Sequence, residues 1–107
     1  MISKDLTAAS STSLVLSILS ESESYGYAII KKVRQLSKEE ITWTDGMLYP
    51  VLHRLENQML IEAYWRRSVS GRRRKYYRIT QSGLRELAAQ KKQWLLVNST
   101  LQKLWNE

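Results

Sequence analysis

Three stretches of helical periodicity, two short alternating runs joined by Ser70-Gly71, and a fourth, long helical stripe predict a mainly α fold with a small β-hairpin. At 107 residues the chain is of single-domain size, since domains most often hold roughly 100–150 residues. Apolar residues at 43% and charged residues at 25% match ordinary globular usage and exclude disordered and fibrous classes.

The first helix spans residues 4–20. Leu14, Val15, Leu16, Ile18 and Leu19 make its second half apolar nearly all round, so it is buried on more than one side. Ser24 is placed as N-cap of a second helix, in which Tyr25, Ile29, Val33 and Leu36 follow one face. Ser37 to Trp43 connects to a third helix capped by Thr44 or Asp45. Leu48, Val51, Leu52 and Leu55 face inward there, opposite Met47, Tyr49, Pro50, His53 and Arg54. Pro50 has no amide hydrogen, which predicts an irregular or slightly kinked start.

From Ile61 the period falls to about 2. Ile61, Ala63 and Trp65 alternate with Glu62, Tyr64 and Arg66, and Tyr77 and Ile79 with Tyr76 and Arg78. Thr80 caps a last helix from Gln81 to Asn106, about 39 Å long. Helix, helix, helix, hairpin, helix is the order of a winged helix-turn-helix with an added C-terminal helix. Residues 1–80 then form the winged helix-turn-helix, and 81–107 a dimerisation helix of the same compact domain.

The net charge of +7 is not spread evenly. Seven cations and no acid lie between Arg66 and Arg78, and the rest of the chain balances to neutrality. A solvated surface intersperses the two signs, so a segregated block points to a polyanion partner; the plainer reading is a basic loop of no consequence. No cysteine is present and His53 is the single histidine, so neither a disulfide nor a metal site is expected, and no cofactor is implied. No nucleophile-base pair or phosphate-binding glycine loop suggests an enzyme. The longest apolar run, Trp94 to Val97, is far short of the ~20 residues of a membrane span, and no signal peptide is legible. A cytoplasmic protein is expected.

Double-stranded DNA fits this pattern. A recognition helix presents its early residues to base edges in the major groove, a task for Thr44, Met47, Tyr49, Pro50, His53 and Arg54. The hairpin tip would lay Arg72, Arg73, Arg74 and Lys75 along the backbone or into the minor groove, where each neutralised phosphate releases counterions. Arg66, Arg67 and Arg78 lie further from the tip and shape the field, and Tyr77 belongs to the core. The alternative is a winged-helix module that binds an acidic protein or RNA. It leaves the third helix idle and lacks an exposed aromatic platform for single-stranded RNA.

Tyr25-Gly26-Tyr27, Gly46-Met47-Leu48-Tyr49-Pro50, Arg54-Leu55-Glu56 with Leu60-Ile61, and Gly71 to Thr80 (GRRRKYYRIT) together closely resemble the PadR family of bacterial transcription regulators. The resemblance implies a winged-helix repressor of promoter DNA, dimeric through its terminal helices, with Tyr49 and the wing cations as DNA contacts. Two positions depart from the family pattern. Met47 stands where threonine is usual, removing a hydroxyl at the helix start. Met59 stands where glycine is usual, and a left-handed backbone there would cost on the order of 1 kcal/mol unless Asn57 takes the strained position. Larger members carry a further helical domain, so this chain resembles the short subgroup.

The last helix carries Leu84, Leu87, Lys91, Trp94, Asn98, Leu101 and Trp105 on one stripe, flanked by Ala88, Leu95, Val97 and Leu104. This surface is wider than one small domain covers, which predicts a homodimer through Leu87, Trp94, Leu101, Leu104 and Trp105; the plainer reading packs it on the first helix alone. Trp94, between Lys91 and Asn98, is the candidate site for a small planar aromatic effector, by analogy with relatives that respond to such compounds.

Overall fold

Local caps and the apolar rhythm set the helices in the computed structural model, which describes residues 2–106. Helix α1 (Lys4–Glu21) begins at Ser3, whose side chain accepts from the Leu6 amide, and buries Val15, Leu16, Ile18 and Leu19. A two-residue strand, β1 (Ser24–Tyr25), precedes α2 (Gly26–Leu36). Ser24 is therefore not the helix cap. Tyr25 holds that position, with extended backbone and no capping bond from its side chain. Pairing of Ser24 with Tyr77 and Tyr25 with Tyr76 explains the difference, because a ladder satisfies the backbone of an extended segment that a cap would leave open.

Helix α3 (Asp45–Asn57) starts at Thr44, whose Oγ1 accepts from the Met47 amide at 3.3 Å. It runs as one α-helix through Pro50, contrary to the expected irregularity. At the sixth helical residue, proline removes only the donor that would reach the Gly46 carbonyl, near an end where unpaired groups are common. Strands β2 (Ile61–Arg67) and β3 (Arg73–Ile79) pair antiparallel from Ile61↔Ile79 to Arg67↔Arg73, with Gly71 at φ +84° in the turn. The sheet order is β1-β3-β2, so the expected hairpin gains a short third strand. Helix α4 (Gln81–Trp105) begins at Thr80, whose side chain accepts from the Gly83 amide, and Asn106 is its C-cap.

The core gathers the inward faces of α1, α2 and α3 with Trp43, Ile61, Tyr77 and Leu87. Leu87 is only 4% exposed, which corrects its place in the dimer surface: it packs inside its own protomer, in the core shared with α1, against which α4 mainly packs. The remainder of α4 projects. The radius of gyration is 15.1 Å, where a compact chain of this length has about 13 Å, and the longest dimension is 56 Å.

Both helices of the helix-turn-helix pair end on a left-handed residue that is not glycine. Leu60 N–H donates to the Leu55 carbonyl across Met59 at φ 61°, and Glu39 N–H to the Arg34 carbonyl across Lys38 at φ 52°. This is the Schellman closure, which normally uses glycine. Asn57 does not take the strain. Met59 is 74% exposed, so its side chain returns little packing for that conformation. Met59→Gly is expected to stabilise the fold by about 1 kcal/mol. Urea unfolding should show a higher midpoint at unchanged slope; an equal or lower midpoint would contradict the strain assigned to this corner.

Candidate nucleic-acid interface

Residues opposite one another in the β2–β3 ladder share a face of the sheet. Trp65, Arg67, Arg73 and Lys75 therefore lie on the same side as buried Ile61 and Tyr77, the side that meets the helices. Tyr64, Arg66, Arg74, Tyr76 and Arg78 take the other side.

The seven cations of the wing separate into two groups by their surroundings. Three meet acids brought from elsewhere in the chain: Arg66 with Glu23 at 3.0 Å, Arg78 with Glu62 at 2.6 Å, and Lys75 with Glu56 at 3.9 Å. Arg67 donates to the Gly71 carbonyl at 3.1 Å, which braces the turn. Among the described residues no carboxylate lies within ion-pair distance of Arg67, Arg72, Arg73 or Arg74. The unbalanced charge thus collects at the tip. Aromatic rings hold two of these side chains in place: Arg73 lies over Trp65 at 5.0 Å and Arg74 over Tyr25 at 4.5 Å, at distances where the ring quadrupole attracts a guanidinium.

The outward residues of α3 do not form one continuous face. Tyr49, Pro50 and His53 line a groove with Glu56, Lys75 and Tyr77, and so adjoin the wing. Thr44 and Met47 line a different groove, with Ile2, Thr7, Ala8 and Ile41, and Met47 is half-buried against the core. Arg54 turns toward α1, where its Nη2 donates to Thr12 Oγ1 at 2.8 Å. The sites brought together are therefore Tyr49, Pro50 and His53 with Arg72, Arg73, Arg74 and Lys75. Burial, with Tyr49 and Glu56 nearby, pushes the Tyr77 phenol up to about 12, so a neutral ring joins the wing to α3 at neutral pH.

Two exposed aromatics escaped the sequence reading. Tyr27 and Trp65 line a groove of about 440 Å³ with Tyr49 and Arg72 to Lys75. Trp65 alternates in step with buried Ile61 and shares its side of the sheet, but it lies toward the outer end of the strand and is 58% exposed. The aromatic surface that the sequence did not reveal is thus present, with Arg73 over the Trp65 ring.

On α4, the Trp94 indole N–H donates to Ser13 Oγ at 3.0 Å, and the Ser13 hydroxyl donates to Gln90 Oε1. Lys91 and Asn98 are exposed beside it, and Leu101 is half-buried. Leu95, Leu104 and Trp105 are exposed on or beside the Trp94 stripe, apolar area that α1 does not cover, and Leu96 is exposed on the opposite side of the helix. Among the described residues no cluster of metal-binding side chains occurs, and no helix is long and apolar enough to cross a membrane.

Comparison with known proteins agrees with this geometry. The model of the transcriptional regulator PadR-like family matches residues 15–89. A transcriptional regulator from Clostridium thermocellum is 32% identical, with 96% of this chain and 97% of that chain covered and a TM-score of 0.86. A PadR-like transcriptional regulator from Bacillus cereus strain ATCC 14579 is 31% identical over 97% of this chain and 99% of that one, also with a TM-score of 0.86. An uncharacterized protein of Lysinibacillus sphaericus is 32% identical over 101 residues, covering 94% of this chain and 93% of its own. The chain belongs to the PadR-like family of transcriptional regulators, DNA-binding winged helix-turn-helix proteins rather than enzymes.

Proposed function

We propose that this chain is a dimeric, sequence-specific repressor of promoter DNA, relieved by a small planar aromatic ligand. The observation that carries the DNA reading is that Tyr49 lines one groove with Pro50, His53 and Lys75 and another with Arg72, Arg73 and Arg74, which have no acidic partner among the described residues. A helix with an exposed aromatic and an imidazole can discriminate base edges, and unpaired arginines supply the phosphate affinity that holds it in register. Arg54 and Thr44, set apart on α3, suit backbone contacts at its ends.

The surface of α4 supports the dimer in this reading. Trp94, Leu101, Leu104 and Trp105, flanked by exposed Leu95, form an apolar surface on a projecting helix, and a second copy is the occupant that also provides two half-sites for a palindromic operator. Release of α1 on this surface would let a ligand reach Trp94, whose indole is fixed by Ser13 and whose ring is 39% exposed. Stacking between two such indoles suits a flat aromatic molecule, with Lys91 and Asn98 as polar neighbours.

Arg73→Ala should weaken binding to every duplex alike, by roughly five- to tenfold near physiological salt, and reduce the salt slope by about one. His53→Ala should instead alter the ratio between the promoter duplex and its point variants, by roughly fivefold or more at one position. Equal loss on all sequences for both variants would remove α3 from specificity. Leu104→Glu places a charge in the paired surface, so sedimentation should show monomer, with promoter affinity down by at least about tenfold. A dimer that persists would exclude this face. Titration with planar aromatic compounds should quench tryptophan fluorescence in the parent chain and much less in Trp94→Phe; no quenching contradicts the effector reading.

A further inference from the structure

Between Tyr25 and Tyr27 stands a glycine that the backbone does not require. Gly26 is the first residue of α2 and does not adopt a positive φ, so alanine would be conformationally welcome there and would favour the helix. What alanine would meet is Tyr49. A Cβ at position 26 would lie 3.0 Å from the Tyr49 hydroxyl oxygen and 3.3 Å from Cζ, the only neighbours inside ordinary contact distance. The other helical glycines differ. A Cβ on Gly83 would strike the Leu60 carbonyl oxygen at 2.1 Å, a backbone collision, and Gly46 meets nothing closer than 3.9 Å.

Tyr49 itself is half-exposed on α3, at the groove between the start of α2 and the wing. Its ring therefore has one side in solvent and its tip resting on a bare stretch of helix backbone. We infer that Gly26 is a positioning residue for DNA binding: the missing side chain is the seat that holds the Tyr49 phenol in the orientation aimed at DNA. This rests on the reading of Tyr49 as a DNA contact. A methyl at position 26 would turn the ring about its side-chain torsions. A hydroxyl at the end of a tyrosine moves by ångströms in such a turn, beyond hydrogen-bond reach of a fixed phosphate or base.

The test compares Tyr49→Phe, Gly26→Ala and the double variant, titrated against a duplex from the protein's own promoter region, with thermal melting alongside. Tyr49→Phe should weaken binding by about fivefold, the loss of one hydrogen bond. Gly26→Ala should weaken it by more than about tenfold, since the displaced ring also crowds the groove. The double variant should bind as Tyr49→Phe does, within about twofold, and so more tightly than Gly26→Ala, because the atom nearest the new methyl is gone. A nuclear Overhauser contact between the Gly26 α-protons and the Tyr49 ring, present in the free parent chain, should vanish at residue 26 in the alanine variant. Wild-type affinity in Gly26→Ala, or a double variant as weak as Gly26→Ala, overturns the positioning role. If Tyr49→Phe matches the parent, Tyr49 is no contact and the underlying reading falls, while the Overhauser contact still decides whether Gly26 seats the ring. Should Gly26→Ala not fold, a folded double variant that binds like Tyr49→Phe supports the seat, and one that also fails to fold overturns it.

Discussion

One carbonyl oxygen joins the parts of this molecule. The Leu60 carbonyl accepts from the Thr80 amide at 3.0 Å and lies 3.1 Å from the Thr80 hydroxyl, which also donates to the Met59 carbonyl at 2.8 Å and accepts from the Gly83 amide at 3.0 Å. Gly83 passes so near this oxygen that no side chain fits. The end of α3, the base of both wing strands and the first turn of α4 therefore meet within a few ångströms. Met59 enters that joint with a left-handed backbone, and the closure it enables directs the chain from recognition helix to wing.

Charge is arranged on this frame so that attraction is concentrated where the frame is most extended. Glu23, Glu62 and Glu56 pair with Arg66, Arg78 and Lys75, while among the described residues Arg67, Arg72, Arg73 and Arg74 meet no carboxylate. Exposed ion pairs of this kind add little to stability, typically about 0–1 kcal/mol. Their effect is on the field: they offset Arg66, Arg78 and Lys75 and leave the positive potential to the arginines of the tip, of which Arg72, Arg73 and Arg74 line a groove with Tyr49. Trp65 and Tyr25 restrict Arg73 and Arg74 by stacking, so less side-chain freedom would be lost in the proposed contact with phosphate.

The sequence made the helices legible because their apolar periods are long and their caps, Thr44 and Thr80, stand alone at the boundaries. Alternation around Ser70-Gly71 likewise exposed the wing. What it hid were contacts between distant segments. Ser24 looks like a cap by residue type, yet the edge of β3 claims it as a strand. Leu87 falls on an apolar stripe that serves two purposes, the protomer's own core at one end and an uncovered surface at the other, and periodicity cannot mark where one stops. The pairing of Arg66 with Glu23 spans 43 positions, so local charge counting overstated the wing's free cations. For the interface, residue types on α3 indicated the candidates, but only packing separated Tyr49, Pro50 and His53 from Met47 and Arg54.

The most direct test is a titration of the purified chain against a duplex from its own promoter region and a scrambled duplex of equal composition, each at two salt concentrations. An interface in which α3 reads bases while the wing neutralises phosphates predicts tighter and less salt-sensitive binding to the promoter duplex. Equal and steeply salt-dependent affinities for the two would leave only the wing's charge at work. That result would contradict sequence reading by Tyr49, Pro50 and His53.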